Sequence, residues 1–140
     1  MNSLREHAIV VVEDSEEDFA AFRRALRKNK VETSVVRFTD GEAFLGALRD
    51  ESQARPPTLV ILDLNLPALN GIEVLRELRE DAQFRSIPVV VLTTSANPSD
   101  VQRCYDLGVG GYFLKEGDFE DFCGKVGSLA DYWLRAVHLP

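Results

Sequence analysis

Residues Thr58–Gly71 read TLVILDLNLPALNG. A short apolar run, Leu59-Val60-Ile61-Leu62, ends on a single carboxylate, Asp63. A loop containing Pro67 follows, and Gly71 opens a new amphipathic segment. So short a run of branched apolar residues fits a strand buried on both faces. Asp63 then stands where the strand leaves its sheet, and in open parallel α/β sheets that edge is where ligands bind. An Asp after a strand often does no more than start a turn. This stretch alone leaves both meanings open.

The flanking sequence repeats the pattern. Ala8 to Val12 (AIVVV) is a second buried strand, ending in Glu13-Asp14, and Ser15 or Asp14 caps a helix from about Glu16 to Lys28. Phe19, Phe22, Ala25 and Leu26 share its inner face. Thr33 to Phe38 is a shorter, more polar strand nearer the sheet edge. A helix starting at Asp40-Gly41-Glu42 follows, with Ala43, Phe44, Ala47 and Leu48 inward. Two prolines make residues 51–57 a loop. Gly71 to about Gln83 is helical, with Ile72, Leu75 and Leu78 inward. Glu73, Glu77, Arg76, Arg79 and Glu80 form a solvated charged face. Ile87 to Leu92 is strand four, followed by Thr93-Thr94-Ser95; Asn97-Pro98-Ser99 starts a helix that ends near Gly108. Gly111 to Leu114 is strand five, ending in Lys115, and Asp118 begins a last helix running to about Val137. Five alternations of short strand and helix predict an α/β fold: one parallel sheet, doubly wound, with helices on both faces. Right-handed crossovers restrict its topology.

Composition excludes several function classes. A chain of 140 residues is one ordinary domain. The net charge of −7 opposes direct binding of nucleic acid, whose phosphates would be repelled. No apolar stretch approaches the ~18 residues of a membrane span. The N-terminus has no signal-peptide pattern, so a cytosolic protein without membrane attachment is expected. Cys104 and Cys123 lack metal-ligand spacing and are expected as reduced, partly buried thiols. The two histidines, His7 and His138, lie near the chain ends, which argues against zinc-hydrolase or Ser-His chemistry.

The predicted strands deliver Glu13, Asp14, Asp63, Thr93 and Lys115 to one sheet edge, and such a convergence marks a site. Three carboxylates held together repel by several kcal/mol at intermediate dielectric. A hard divalent cation removes that repulsion, and an all-oxygen ligand set selects Mg²⁺. Lys115 adds a positive donor and Thr93 a small hydroxyl. A carboxylate so placed can attack a phosphoryl group in line and form an acyl phosphate.

These residues, in this order and spacing, resemble the receiver domain of two-component response regulators, of the single-domain kind with the chemotaxis regulator's fold. The resemblance is carried by Glu13-Asp14, the DLNLPALNG segment, Pro88 ahead of Thr93, Tyr112, and Lys115 beyond Asp63, and it covers nearly the whole chain. It implies the flavodoxin-like strand order 2-1-3-4-5. It implies that Asp63 is the phosphoacceptor, fed by a histidine kinase. Asp14, Asp63 and the Asn65 carbonyl would ligate Mg²⁺, with Glu13 acting through a water. Lys115 would pair with the phosphoryl group, Thr93 would move to hydrogen-bond it, and Tyr112 would turn inward behind it. Gly71 meets a backbone demand at the start of helix three. The output is expected through binding at the helix four, strand five, helix five face, because no output domain follows.

Three positions depart from the family pattern. Glu13 replaces the usual first Asp, Glu116 replaces the Pro that usually follows the lysine, and Thr94 replaces a small residue and is expected to narrow access and slow turnover. The ending, about residues 130–140, continues the apolar stripe with Trp133, Val137 and Leu139. Those side chains either fold back onto the domain or form an interface, and the interface is the expectation. This ending is similar to that of response regulators paired with bacterial phytochrome kinases, which are homodimers. Two other readings are an aspartyl-nucleophile phosphatase and a receiver-like module that takes no phosphate. The first wants an acid where Asn65 stands, and the intact Asp14, Asp63, Thr93 and Lys115 set argues against the second.

Overall fold

The computed structural model describes residues 9–50 and 56–136. Five strands form one parallel sheet: β1 (Ile9–Val12), β2 (Val35–Phe38), β3 (Leu59–Leu62), β4 (Val89–Thr93) and β5 (Gly111–Leu114). Their order is β2-β1-β3-β4-β5, as the resemblance implied. Five helices alternate with them: α1 (Glu16–Lys28), α2 (Gly41–Arg49), α3 (Gly71–Glu80), α4 (Pro98–Asp106) and α5 (Phe119–Ala130). A π-helical turn, Asp131–Ala136, continues α5.

Strand periodicity splits the core in two. Val10, Val12, Val60, Leu62, Val89 and Val91 face one side and pack with Phe44, Leu48, Leu75 and Leu78 of α2 and α3. Ile9, Val11, Leu59, Ile61, Val90 and Leu92 face the other and pack with Phe22, Leu26, Val126 and Leu129 of α1 and α5. Every residue of β1, β3 and β4 is buried. Burying one such aliphatic side chain is worth about 1.5–3 kcal/mol, which explains why the three central strands are almost purely apolar. The edge strands β2 and β5 are only partly buried.

Helix starts follow capping chemistry. Ser15, Asp40, Asn70, Asn97 and Asp118 each accept a backbone N–H of the first turn through the side chain. Asn70 with Glu73, and Asp118 with Asp121, form reciprocal capping boxes.

Several boundaries and faces differ from expectation. α3 stops at Glu80 because Asp81 is extended and its carboxylate accepts the Gln83 N–H, starting a turn. β4 begins at Val89, since Pro88 has no N–H to give the ladder, although its carbonyl accepts from Val60. β2 begins at Val35 rather than Thr33. In α2, Ala43 is exposed and Leu45 is buried, so the helix is rotated from the expected face. Phe119, the first residue of α5, is 38% exposed, with the Arg24 guanidinium 5.2 Å and the Lys28 ammonium 5.9 Å from its ring centre. Arg79 is not on a solvated face. Its guanidinium donates to the carbonyls of Leu107, Gly108, Arg85 and Ile87. Burial lowers its pKa from the ordinary value.

Candidate functional site

The site lies at the carboxyl edge of the sheet, where β1, β3, β4 and β5 end side by side. Asp63 directly follows β3, and its N–H donates to the Val12 carbonyl at 3.1 Å. It is 6% exposed. One carboxylate oxygen, Oδ1, accepts the Asn65 N–H at 3.1 Å, and the other, Oδ2, accepts from Lys115 Nζ at 2.9 Å. Thr93 is fully buried at the end of β4, and its hydroxyl accepts the Ser95 N–H at 3.3 Å. Burial alone would raise the Asp63 pKa. Lys115, the Asn65 amide and the Thr93 hydroxyl outweigh it and hold the group below the ordinary carboxylate value.

Glu13 follows β1 and is also buried. Its Oε2 accepts the Ser15 N–H at 3.1 Å, and its Oε1 pairs with Lys115. Burial, against the pull of Lys115 and with the charge of Asp63, pushes its carboxyl up to about 7. Asp14, next in the chain, is exposed. Lys115 follows β5, held by its N–H on the Thr93 carbonyl at 2.7 Å. Burial would lower its pKa, but the carboxylates of Glu13, Asp18 and Asp63 raise it above the ordinary value, so the ammonium stays charged. The peptide bonds of the described residues are trans, Lys115–Glu116 included, and the loop turns at Gly117, whose φ is +81°.

Carboxylate oxygens of Glu13, Asp14 and Asp63 lie within 4.8 Å of one another. Three hard oxygen donors converging with one lysine leave a surplus of negative charge, and this donor set fits a hard divalent cation. Asn65 is exposed at the rim, and its Nδ2 donates to Thr94 Oγ1 at 3.1 Å, so the two side chains bridge the mouth of the site. Tyr112, on β5, is half-buried, and its hydroxyl donates to the Ser95 carbonyl at 2.7 Å.

The structure thus brings together Glu13, Asp14, Asp63, Asn65, Thr93 and Lys115, with Tyr112 one short loop away. It also recruits residues that sequence reasoning missed. Asp18, one helical turn after Asp14, pairs with Lys115 Nζ at 2.9 Å. Arg37 on β2 donates to the carbonyls of both Glu13 and Asp14, at 3.0 and 3.1 Å, and so fastens the acidic loop. A charged residue inside a four-residue strand was the available signal for it. Gly71 meets a demand for space. A Cβ there would lie 2.3 Å from the Asp63 carbonyl oxygen and 2.6 Å from Leu64 Cα.

At the far end of the chain, Trp133 folds back onto its own domain. It is half-buried against the α1/α5 side of the core and covers Gly110, where a Cβ would come within 2.3 Å of the indole. The exposed aromatic there is Tyr132, edge-on to Trp133 with ring centres 5.1 Å apart. Val137 and Leu139 lie outside the described residues.

A five-stranded sheet of this order, carrying an acidic pair, a buried aspartate, a threonine and a lysine on one edge, is the arrangement of a response-regulator receiver domain. The chain belongs to the response regulator receiver domain family, whose model matches residues 9–126. It is similar to the response regulator Rcp1 of Synechocystis sp., with 36% identity over 135 residues that cover 94% of this chain and 92% of Rcp1. The crystal structure of the phosphorylated cyanobacterial phytochrome response regulator RcpA superposes with a TM-score of 0.88 at 36% identity, covering 96% of this chain and 99% of that one. The Mn²⁺-bound form of Rcp1 gives 0.87 at the same identity and coverage. The resemblance to receivers, and within them to phytochrome-associated regulators, is borne out. Among the described residues no helix is long and apolar enough to cross a membrane.

Proposed function

We propose that this chain is a stand-alone cytosolic phosphoacceptor of a two-component relay, with Asp63 as the acceptor. The observation that carries the reading is the buried Asp63 carboxylate, kept ionised by Lys115 beside the Glu13-Asp14 pair. An Asp63 oxygen attacks the phosphorus of a kinase phosphohistidine. The P–N bond breaks, and the departing imidazole nitrogen keeps the electron pair and takes up a proton. Water later cleaves the acyl phosphate to inorganic phosphate and free carboxylate. Glu13, Asp14, Asp63 and the Asn65 carbonyl would hold Mg²⁺, which when bound neutralises charge on the phosphoryl oxygens. Lys115 pairs with those oxygens, Thr93 hydrogen-bonds them, and Tyr112 responds behind Thr93. The chain acts on its own phosphoryl group and turns over no separate substrate.

Similarity to phytochrome response regulators supports a bacterial phytochrome histidine kinase as the partner. The reading also includes a homodimer through the C-terminal stretch of the chain that carries Trp133, Val137 and Leu139 in sequence. Sedimentation at tens of micromolar should show a dimer, and monomer alone would refute that part. The central test is intact mass after incubation with Mg²⁺ and a small phosphodonor such as acetyl phosphate. One phosphoryl addition is expected, lost in Asp63→Asn and on chelation of Mg²⁺. No addition from either a small donor or a phosphorylated kinase would overturn the reading.

A further inference from the structure

Asp18 is the one carboxylate on Lys115 that the function above leaves without a role. A lysine ammonium has three N–H donors and no acceptor. Here all three have carboxylate partners: Glu13, Asp63 at 2.9 Å and Asp18 at 2.9 Å. Lys115 is therefore fully committed. Acylation takes the charge off Asp63 and frees the donor it held, so a second donor for the phosphoryl group must come from Glu13 or Asp18.

Those two are not equally able to let go. The Glu13 side chain is 6% exposed, and no water can replace the ammonium beside it. Asp18 is 45% exposed and would be rehydrated at once. It stands in the first turn of α1, where the helix N-terminus favours its charge whether or not lysine is bound. It also borders a cavity of about 210 Å³, shared with Lys115, Gly117 and Phe122, that gives the carboxylate room to withdraw.

Resting on the phosphoacceptor reading, we propose that Asp18 is a positioning residue. It occupies the third donor of Lys115 in the resting protein, keeps the ammonium aimed at Asp63, and yields that donor to the phosphoryl group. No covalent bond to Asp18 forms or breaks; its carboxylate exchanges an ammonium for water. Asp18 thus competes with the phosphoryl group and sets how tightly the site holds it.

The test is titration of the full chain with beryllofluoride, a phosphoryl mimic, at saturating Mg²⁺, read by ¹⁹F NMR. Asp18→Asn should bind the mimic roughly two- to fivefold more tightly than wild type, the range expected when a partly exposed pair is removed. Asp18→Glu should restore wild-type affinity. Glu17→Gln makes the same change of charge one residue away, on an exposed side chain, and should leave affinity unchanged. A residue that merely supported α1 would lower the Tm without tightening the mimic. Equal or weaker binding by Asp18→Asn, or equal tightening by Glu17→Gln, would overturn the inference alone. Failure of the wild type to bind the mimic would overturn the phosphoacceptor reading beneath it.

Discussion

Replacing Gly71 with alanine tests how the acceptor strand is joined to α3. The added Cβ would lie 2.3 Å from the Asp63 carbonyl oxygen, 2.6 Å from Leu64 Cα and 3.0 Å from the Asp63 carbonyl carbon. All three are backbone atoms and cannot rotate away. Relief requires the start of α3 to move off the β3 exit by roughly 1 Å, to reach ordinary contact. That motion strains or breaks the Gly71 N–H bond to the Leu64 carbonyl, now 3.0 Å, at about 1 kcal/mol. Overpacking adds about 1–3 kcal/mol. Reduced chain freedom in the unfolded state returns about 0.4–1 kcal/mol. The expected net loss is ~1–4 kcal/mol, which lowers the urea midpoint by about 0.5–2 M at a typical slope. Urea unfolding followed by the fluorescence of Trp133, the sole tryptophan, reads this directly. Gly46→Ala is the control: its Cβ would meet nothing within 4 Å in the middle of α2, so a midpoint equal to or above wild type is expected. A Gly71→Ala midpoint within ~0.3 M of wild type would refute the packing argument.

Four further outcomes are expected. In chelator, Glu13, raised by burial to about 7 from 4.5, stabilises the fold fully below pH 4.5 and loses that contribution as pH rises through 7. Wild type should therefore lose about 2 kcal/mol between pH 5.5 and 8 relative to Glu13→Gln, and parallel pH profiles in chemical denaturation would refute this. Asp63, lowered from its ordinary value, and Lys115, raised from its own, do not titrate in that window. Saturating Mg²⁺, at about 100 times its Kd, should stabilise by about 2.7 kcal/mol, a rise of roughly 5–10 °C in Tm, and Asp14→Asn should abolish most of it. Thr94→Ala opens the Asn65 bridge over the site and should shorten the phosphoryl lifetime, measured by loss of the added mass; an equal or longer lifetime would count against that bridge as a barrier. The Cys104 thiol, fully buried and pushed up to about 11 by desolvation, should react with a disulfide reagent at pH 8 only when the protein unfolds.

Much of the site was legible because strands end abruptly. Asp63, Thr93 and Lys115 each follow an apolar run, and the alternation of elements places such residues on one edge. Asp18 was hidden because an acid in the first turn of a helix already has a sufficient local explanation. Arg79 was hidden for a related reason. Helical spacing reports which way a side chain leaves its own helix, and the carbonyls it binds arrive from loops at residues 85, 87, 107 and 108. The phase of α2 was misjudged because Ala43 and Leu45 are both apolar, and only the packing chooses between them. Gly71 was seen as necessary, but its reason is the closeness of the β3 exit, which is a tertiary fact. At the chain's other end, composition suggested that Trp133 needs cover. The slot over Gly110 provides some of it from within the domain.

The Arg79 contacts have a mechanical consequence. They fasten α3 to the approach to β4 and to the α4–β5 turn, all at the edge of the sheet opposite the acidic site. The C-terminal end of α4 is thereby pinned. Its N-terminal end hangs on Ser95, which donates to Asp100 at 2.7 Å and accepts from Tyr112. The helix is a lever with a fixed fulcrum. A displacement of Thr93 and Ser95 is therefore expected to move the N-terminal end of α4 more than its pinned C-terminal end.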